Sequence, residues 1–310
     1  MNILMAINFL PEVDMYWSAN SFIGNSGIQN IMTCNRFQKL CQYFHVSNRD
    51  LEPTRGHPNY DRLYKIRPVV QHISDTFITC YDLSREVAVD EAMIRFAGKL
   101  SFRQYMPAKP IKRGIKVWML CDSNTSYLSK FEVYLGKNTL CNENGLGYNV
   151  VTKLTVHLKL THRHIFFDNF FTSVPLMKKL LNDGLYACGT VRVNRKDFPN
   201  ELKKPRDVKD RGQFQVLQKG NTPLTASVWK DKKLVHHLST LSQPDDVVSA
   251  SRRVGADILQ LRQPQCVSAY NKYMGGVDLH DQLRTNYDVG RNSKKWWKHL
   301  FWFLINCCIR

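Results

Sequence analysis

The chain has 310 residues, 43% of them apolar and 23% charged, which excludes disordered and fibrous classes and leaves room for a sizeable core. Lysine and arginine total 44 against 26 aspartates and glutamates, a formal charge of +18; this points to a polyanionic partner, nucleic acid first and an anionic membrane surface second. No apolar run reaches the roughly 18 residues a membrane-spanning helix needs, and Met1–Leu10 lacks the basic start and cleavage site of a signal peptide.

In chain order, the spacing of Ile28, Ile31, Met32, Phe37, Leu40, Cys41 and Phe44 predicts a helix over Gly27–His45. A loop rich in Pro, Gly and Arg follows over Ser47–Arg62. A second amphipathic helix is predicted over Arg67–Leu83, with Pro68 suited to its first turn. The pattern then turns to strands: Glu86–Asp90, Lys116–Cys121, Ser126–Leu135, His164–Asp168 and Tyr186–Val193. A helix over Val174–Asn182, punctuated by Gly184, separates the last two. Strands interleaved with helices indicate an α/β class. Between Asn194 and Gln263, basic and polar stretches alternate with the β-like runs Phe214–Leu217, Thr225–Trp229 and Leu234–Leu238. That segment reads as an inserted, strand-rich subdomain. From Pro264 the pattern is helical again, over Val267–Asn286 and Lys294–Cys308, split at Gly290. Nine cysteines occur without a Cys-x-x-Cys pair, so they read as reduced thiols of an intracellular protein and no zinc site is expected.

Three aspartates stand at informative places. Asp90 ends Val87-Ala88-Val89, Asp168 ends Ile165-Phe166-Phe167, and Asp278 follows Gly275-Gly276-Val277. An apolar strand that ends in an acid delivers a carboxylate to the sheet edge, where α/β folds form ligand sites. Two such acids on neighbouring strands and one from a helix would suit two hard divalent cations such as Mg²⁺, as in phosphoryl transfer. The structural alternative is that each Asp caps the following turn. Asp278 and Asp281 lie one helical turn apart and share a face, as surface acids often do. Asp122 competes with Asp90, but Ser123-Asn124 after it favours a turn role. Gly275-Gly276 lacks the Lys-Ser or Lys-Thr of a phosphate-binding loop.

Two basic clusters suit phosphate contacts. Lys109, Lys112, Arg113 and Lys116 precede a core strand; Arg291, Lys294, Lys295 and Lys298 surround Trp296-Trp297. One of these tryptophans would be able to stack on an unpaired base. The alternative is a solvated rim around two core tryptophans.

Longer blocks carry a resemblance. Val89-Asp90-Glu91-Ala92-Met93-Ile94 with Phe96 to Pro110 resembles the first catalytic block of the piggyBac transposases. Phe167-Asp168-Asn169-Phe170-Phe171-Thr172-Ser173 resembles the second. Tyr270-Asn271, Gly275-Gly276-Val277-Asp278 and Asp281-Gln282 resemble the third, and Arg291 to Trp297 the segment after it. Asn35-Arg36-Phe37 and Tyr60-Asp61-Arg62-Leu63 extend the likeness towards the start, and it is closest to the piggyBac transposable element-derived proteins.

The resemblance implies an RNase H-like catalytic domain interrupted by an insertion. The division is then 1–84, a truncated helical dimerisation and DNA-binding region; 85–193, the first part of the core; 194–263, the insertion; and 264–310, the closing helices. It implies Asp90, Asp168 and Asp278 as ligands of two Mg²⁺ ions, with Mn²⁺ as a substitute, and Asp281 as a nearby acid needed for activity. The implied reaction is nicking at transposon ends and attack of the new 3′-hydroxyl on double-stranded DNA at TTAA sites. A nuclear homodimer without membrane attachment goes with it. Relatives carry an acidic N-terminal region and a cysteine-rich zinc domain that these residues do not contain, and Arg95 stands where many have a small residue or proline. The competing expectation is therefore a domesticated or truncated protein that binds DNA or chromatin without catalysis. A third, a basic membrane-surface protein, rests only on the apolar helix His299–Ile309.

Overall fold

The computed structural model describes residues 10, 12–136, 144–255, 257–286, 288–290 and 293–309. The chain divides into two compact units. One comprises Met1–Thr76, Ile94–Ile115 and Asp281–Arg310; the other comprises Phe77–Met93 and Lys116–His280.

The first unit is mainly helical. It contains α1 (Ser26–Ile31), α2 (Cys34–Tyr43), most of α3 (Arg67–Cys80), and two 3-10 turns at Val13–Trp17 and Arg49–Leu51. The single helix predicted over Gly27–His45 is two helices. Met32 is extended, and the Thr33 hydroxyl accepts the Arg36 N–H to start α2, the role a β-branched hydroxyl favours over helix interior. Tyr16, Ile28 and Phe37 are buried together.

The second unit is built on a sheet. Its strands are β1 (Glu86–Arg95), β3 (Arg113–Asp122), β4 (Leu128–Val133), β5 (His164–Phe167), β6 (Tyr186–Thr190), β7 (Phe214–Gln218), β8 (Thr225–Lys230) and β9 (Leu234–Ser239). The order is β3-β1-β5-β6-β9-β8-β7, with β4 on β3. The short β2 (Gln104–Tyr105) pairs with the first residues of β3 within the helical unit. β1, β5 and β6 run parallel, and β9, β8 and β7 continue antiparallel. Three strands from the 194–263 segment thus extend the main sheet. The remainder includes a ribbon of β10 (Val247–Val254) and β11 (Asp257–Pro264).

Strand alternation sorts the two faces. Val87, Val89, Ile165, Phe167 and Ala187 bury one face beneath α4 (Leu146–Leu154) and α5 (Val174–Asn182), which supply Val151, Leu154, Leu176, Met177 and Leu180. Phe166 and Cys188 bury the other against Cys266 and Val267 of α6 (Gln265–Tyr273). The helix predicted over Val267–Asn286 is also two: α7 (Gly276–Thr285) begins after an interruption at Met274-Gly275. The last helix, α8 (Trp296–Cys308), belongs to the helical unit. Among the described residues, no helix is long and apolar enough to cross a membrane.

Candidate active site

Asp90 and Asp168 follow directly on the parallel register of β1 and β5, whose last partners are Val89 and Phe167. They therefore stand next to each other where the parallel pairing stops; Asp168 follows the last residue of β5, as expected, but β1 does not end at Asp90 and runs on to Arg95, so Asp90 lies in mid-strand. Both are partly buried. The Glu91 N–H donates to the Asp90 carboxylate at 2.8 Å. The Phe170 N–H donates to the Asp168 carboxylate at 2.9 Å, and the Thr172 hydroxyl donates to the Asp168 carbonyl at 2.8 Å. Asp168 thus opens the turn that leads into α5. Gly189 on β6 makes room for that turn: a Cβ there would lie 2.4 Å from the Thr172 hydroxyl and 2.5 Å from the Phe167 carbonyl.

Three further groups frame the pair. Burial pushes the Tyr270 phenol up to about 12, and Asp168 and Asp90 act in the same direction. Both carboxylates are thus within electrostatic reach of one α6 side chain, which stays neutral. Arg195 donates to the carbonyls of Asn169 at 2.9 Å and Phe170 at 2.5 Å, and Arg192 donates to the Asn169 side chain at 2.9 Å. Burial and the neighbouring Arg192 lower the Arg195 pKa, while Asp168 opposes both. The third group is Lys116. It is buried, 3.7 Å from the Glu91 carboxylate and 3.7 Å from the centre of the Trp118 ring.

Asp278 is exposed on the first turn of α7. That helix starts against the sheet: a Cβ on Gly276 would sit 3.0 Å from the Asp122 carbonyl and 3.3 Å from the Ala88 Cβ, two residues before Asp90. His280 fixes the next turn through the Ser126 carbonyl at 2.9 Å, and the Ser123 hydroxyl donates to the Tyr273 carbonyl at 2.7 Å. Asp281 is partly buried and paired with Arg284 at 3.0 Å. The three acids offer the hard oxygen ligands that Mg²⁺ prefers, and two of them are adjacent. Among the described residues, no three His, Cys, Asp or Glu side chains form a group ready to hold a metal ion.

Asp122 is a structural acid. It is fully buried, and its carboxylate accepts N–H bonds from Ser84 at 2.6 Å, Asn124 at 2.8 Å and Thr125 at 2.9 Å. Burial alone would raise its pKa; the backbone donors outweigh it and hold the pKa below the ordinary value.

The basic candidates divide. Lys112, Arg113, Lys294 and Lys295 are exposed, and Lys109 is partly so. Lys116 is a core cation, not a surface one. Lys298 donates to the Cys41 carbonyl at 2.8 Å and lies over the rings of Phe44 and Trp297. Arg291 lies outside the described residues. Trp297 is buried and Trp296 partly so, its ring edge-on to Phe102. Sequence reasoning missed Tyr270, Arg192 and Arg195 as site residues. The available signal for the arginines was their place just past β6, the parallel neighbour of β5.

The sequence model of the family described as Transposase IS4 matches residues 1–310. The human PiggyBac transposable element-derived protein 3 is 29% identical over 298 residues, covering 93% of this chain and 49% of that protein. The human PiggyBac transposable element-derived protein 2 is 28% identical over 312 residues, 96% of this chain and 51% of that protein. This chain thus spans about half the length of these curated relatives. The cryo-EM structure of a piggyBac transposase synaptic complex with hairpin DNA superposes with a TM-score of 0.79 at 29% identity, over 98% of this chain and 61% of that one. On this match, and with an α/β fold of the same kind, the chain belongs to the Transposase IS4 family and, within it, to the piggyBac group.

Proposed function

We propose that this chain carries the catalytic core of a piggyBac-type DNA transposase, an RNase H-like domain that cuts and rejoins DNA strands. One observation carries the reading: Asp90 and Asp168 stand next to each other where the parallel pairing of β1 and β5 stops, with Tyr270 in the field of both. Asp90, Asp168 and Asp278 would hold two Mg²⁺ or Mn²⁺ ions. Bound there, such ions supply charge stabilisation at the attacking and leaving oxygens of a phosphodiester. The chain's own residues do the rest. The N–H groups of Glu91 and Phe170 orient the carboxylates of Asp90 and Asp168. Arg195 holds the 169–170 backbone carbonyls and Arg192 the Asn169 side chain, which fixes the turn after Asp168. Asp281 acts through Arg284, which its carboxylate pairs. The exposed Lys112, Arg113, Lys294 and Lys295 suit phosphate contacts. The partner is double-stranded DNA, cut at TTAA sites by a homodimer in the nucleus; the solved relative's complex with hairpin DNA supports a DNA partner.

A second reading has its own observation. Asp278 is exposed, and no three acids are gathered among the described residues. That favours a transposable element-derived protein that binds DNA without cutting it. Nicking of supercoiled plasmid in Mg²⁺ and in Mn²⁺ separates the two, with Asp168→Asn beside the wild type. Metal-dependent nicking that the variant loses, with DNA binding kept, supports the transposase. Two folded proteins that shift DNA and never nick it overturn catalysis.

A further inference from the structure

The helical unit contains a cavity of about 520 Å³ that the acidic site does not use. That volume lies in the range of small-molecule sites. Its lining combines the aromatic rings of Tyr43, Phe44, Tyr64, Trp296 and Trp297 with the cations Arg49, Lys65 and Lys295 and one carboxylate, Asp50.

The walls are built in advance. Phe44 packs against Trp297 at 5.8 Å and Phe301 at 4.9 Å between ring centres. The Ser47 hydroxyl donates to the Tyr64 carbonyl at 2.8 Å, and the Tyr64 hydroxyl donates to the Asn48 carbonyl at 2.9 Å. The Asn48 side chain accepts the Asp50 N–H at 3.0 Å, which starts the turn that carries Arg49. Lys65 lies 3.6 Å from Glu52, so Arg49 and Lys295, both exposed, are the cations best placed for an incoming anion. Tyr43 is 67% exposed, a large ring kept in water beside the cavity.

A ligand that matches is flat and aromatic at one end and singly anionic at the other. We propose that the cavity takes one unpaired nucleotide of a DNA strand, its base against Tyr43 and Trp296 and its phosphate beside Arg49 and Lys295. The nucleotide chemistry comes from the cavity alone; the DNA strand as its source rests on the transposase reading. A strand phosphate fits better than a free di- or triphosphate. The cavity offers separate point cations, and no glycine-rich loop of backbone N–H groups lines it. Base stacking on aromatic rings gives affinity without sequence preference.

The test uses the full chain and two DNA probes, one fully paired and one with a single bulged 2-aminopurine. Wild type is expected to bind the bulged probe more tightly and to change its 2-aminopurine fluorescence. Tyr43→Ala, at an exposed position where folding is not at stake, is expected to reduce the ratio of bulged to paired affinity by about tenfold. Arg49→Gln is expected to lower it as well, and circular dichroism checks both folds. Equal affinity for the two probes in the wild type, or an unchanged ratio in Tyr43→Ala, overturns the proposal. AMP serves as the free-nucleotide probe. Tyr43-dependent AMP binding that bulged DNA fails to displace overturns the strand as source. The plasmid-nicking result with Asp168→Asn is read separately, so a failed cavity and a failed transposase reading give different patterns.

Discussion

Removal of the Lys116 charge is the most direct probe of how the acid-bearing segments are held. Its ammonium lies 3.7 Å from Glu91 Oε2, 3.7 Å from the centre of the Trp118 ring and 5.3 Å from that of Phe170. The two charged side chains are only 11% and 10% exposed. At that separation and an effective dielectric of about 20, the Coulomb attraction is about 4.5 kcal/mol before desolvation is subtracted. The ring face adds about 1–2 kcal/mol for a desolvated cation. Lys116→Met leaves the Glu91 carboxylate buried without this cation, and the expected loss is about 3–5 kcal/mol. Glu91→Gln removes the charge but not the rings, and is expected to cost about 1–3 kcal/mol. The double variant is expected to fall short of the sum by at least about 1 kcal/mol, because its second change removes the stranded charge. Guanidinium unfolding followed by tryptophan fluorescence measures the cycle. Costs that add within about 0.5 kcal/mol would refute the coupling. Glu91 follows Asp90 on β1 and Phe170 lies two residues beyond Asp168, so one cation touches both acid-bearing segments. Lys116→Met is therefore expected to reduce plasmid nicking further than its stability loss explains.

Gly276→Val is expected to cost about 1–3 kcal/mol from overpacking against Ala88 and the Asp122 carbonyl; thermal melts beside Gly275→Ala, where a Cβ meets nothing within 4 Å, check it. Asp122→Asn turns an amide NH₂ towards at least one of the three N–H donors and is expected to lose about 1–3 kcal/mol at pH 7. Because the folded pKa of Asp122 is depressed, its stabilisation is present above the ordinary 3.8 and fades as pH falls through the lower folded value, so the variant and wild-type curves should converge there. Burial, and secondarily His236, lower the His237 pKa to about 3. Below the ordinary 6.5 the unfolded chain takes up the proton first, so stability falls by about 1.4 kcal/mol per pH unit through this group until pH nears 3. His237→Phe should flatten that slope in unfolding curves taken from pH 6.5 down to 4.

The parallel strands were legible because Val87-Ala88-Val89 and Ile165-Phe166-Phe167 are apolar on both faces, as strands of a covered parallel sheet must be; the end of β1 was not, since the strand expected to stop at Asp90 runs on to Arg95. Val174–Asn182 was legible to its ends, since Ser173 accepts the Leu176 N–H and Gly184 follows with φ +70°. The ribbon of β10 and β11 was not. Ser249, Ser251 and Arg253 are exposed beside exposed Ile258 and Leu259, so no apolar alternation marks it. Lys116 was read as a surface cation because charge in sequence carries no burial. The Glu91 carboxylate and the Trp118 ring that accept it become neighbours only when β1 and β3 enter one sheet. Tyr270 was quoted only as part of a motif, since its relation to Asp90 and Asp168 depends on α6 lying over the face that carries Phe166.

The break between α6 and α7 shows why the third acid needed structure and not periodicity. The 3.6-residue pattern runs through Val267–Asn286 as one helix. In such a helix Asp278 would stand eight residues past Tyr270, about 12 Å along a straight axis, and would be carried away from the acids that act on that phenol. The helix is interrupted instead at Met274-Gly275, where the glycine pair Gly275-Gly276 begins and glycine is poorly held in a helix. Gly276 then restarts it where a Cβ would sit tightly against Ala88 and the Asp122 carbonyl. From that contact Asp278 is two residues, about 3 Å of helix rise, along α7, while Asp90 is two residues along β1 from Ala88. Each acid is thus two residues from one point of contact, and among the described residues that contact does not gather Asp90, Asp168 and Asp278 into one group. A glycine pair that lacks the chemistry of a phosphate loop thus has a packing role, and that role sets where the third carboxylate begins.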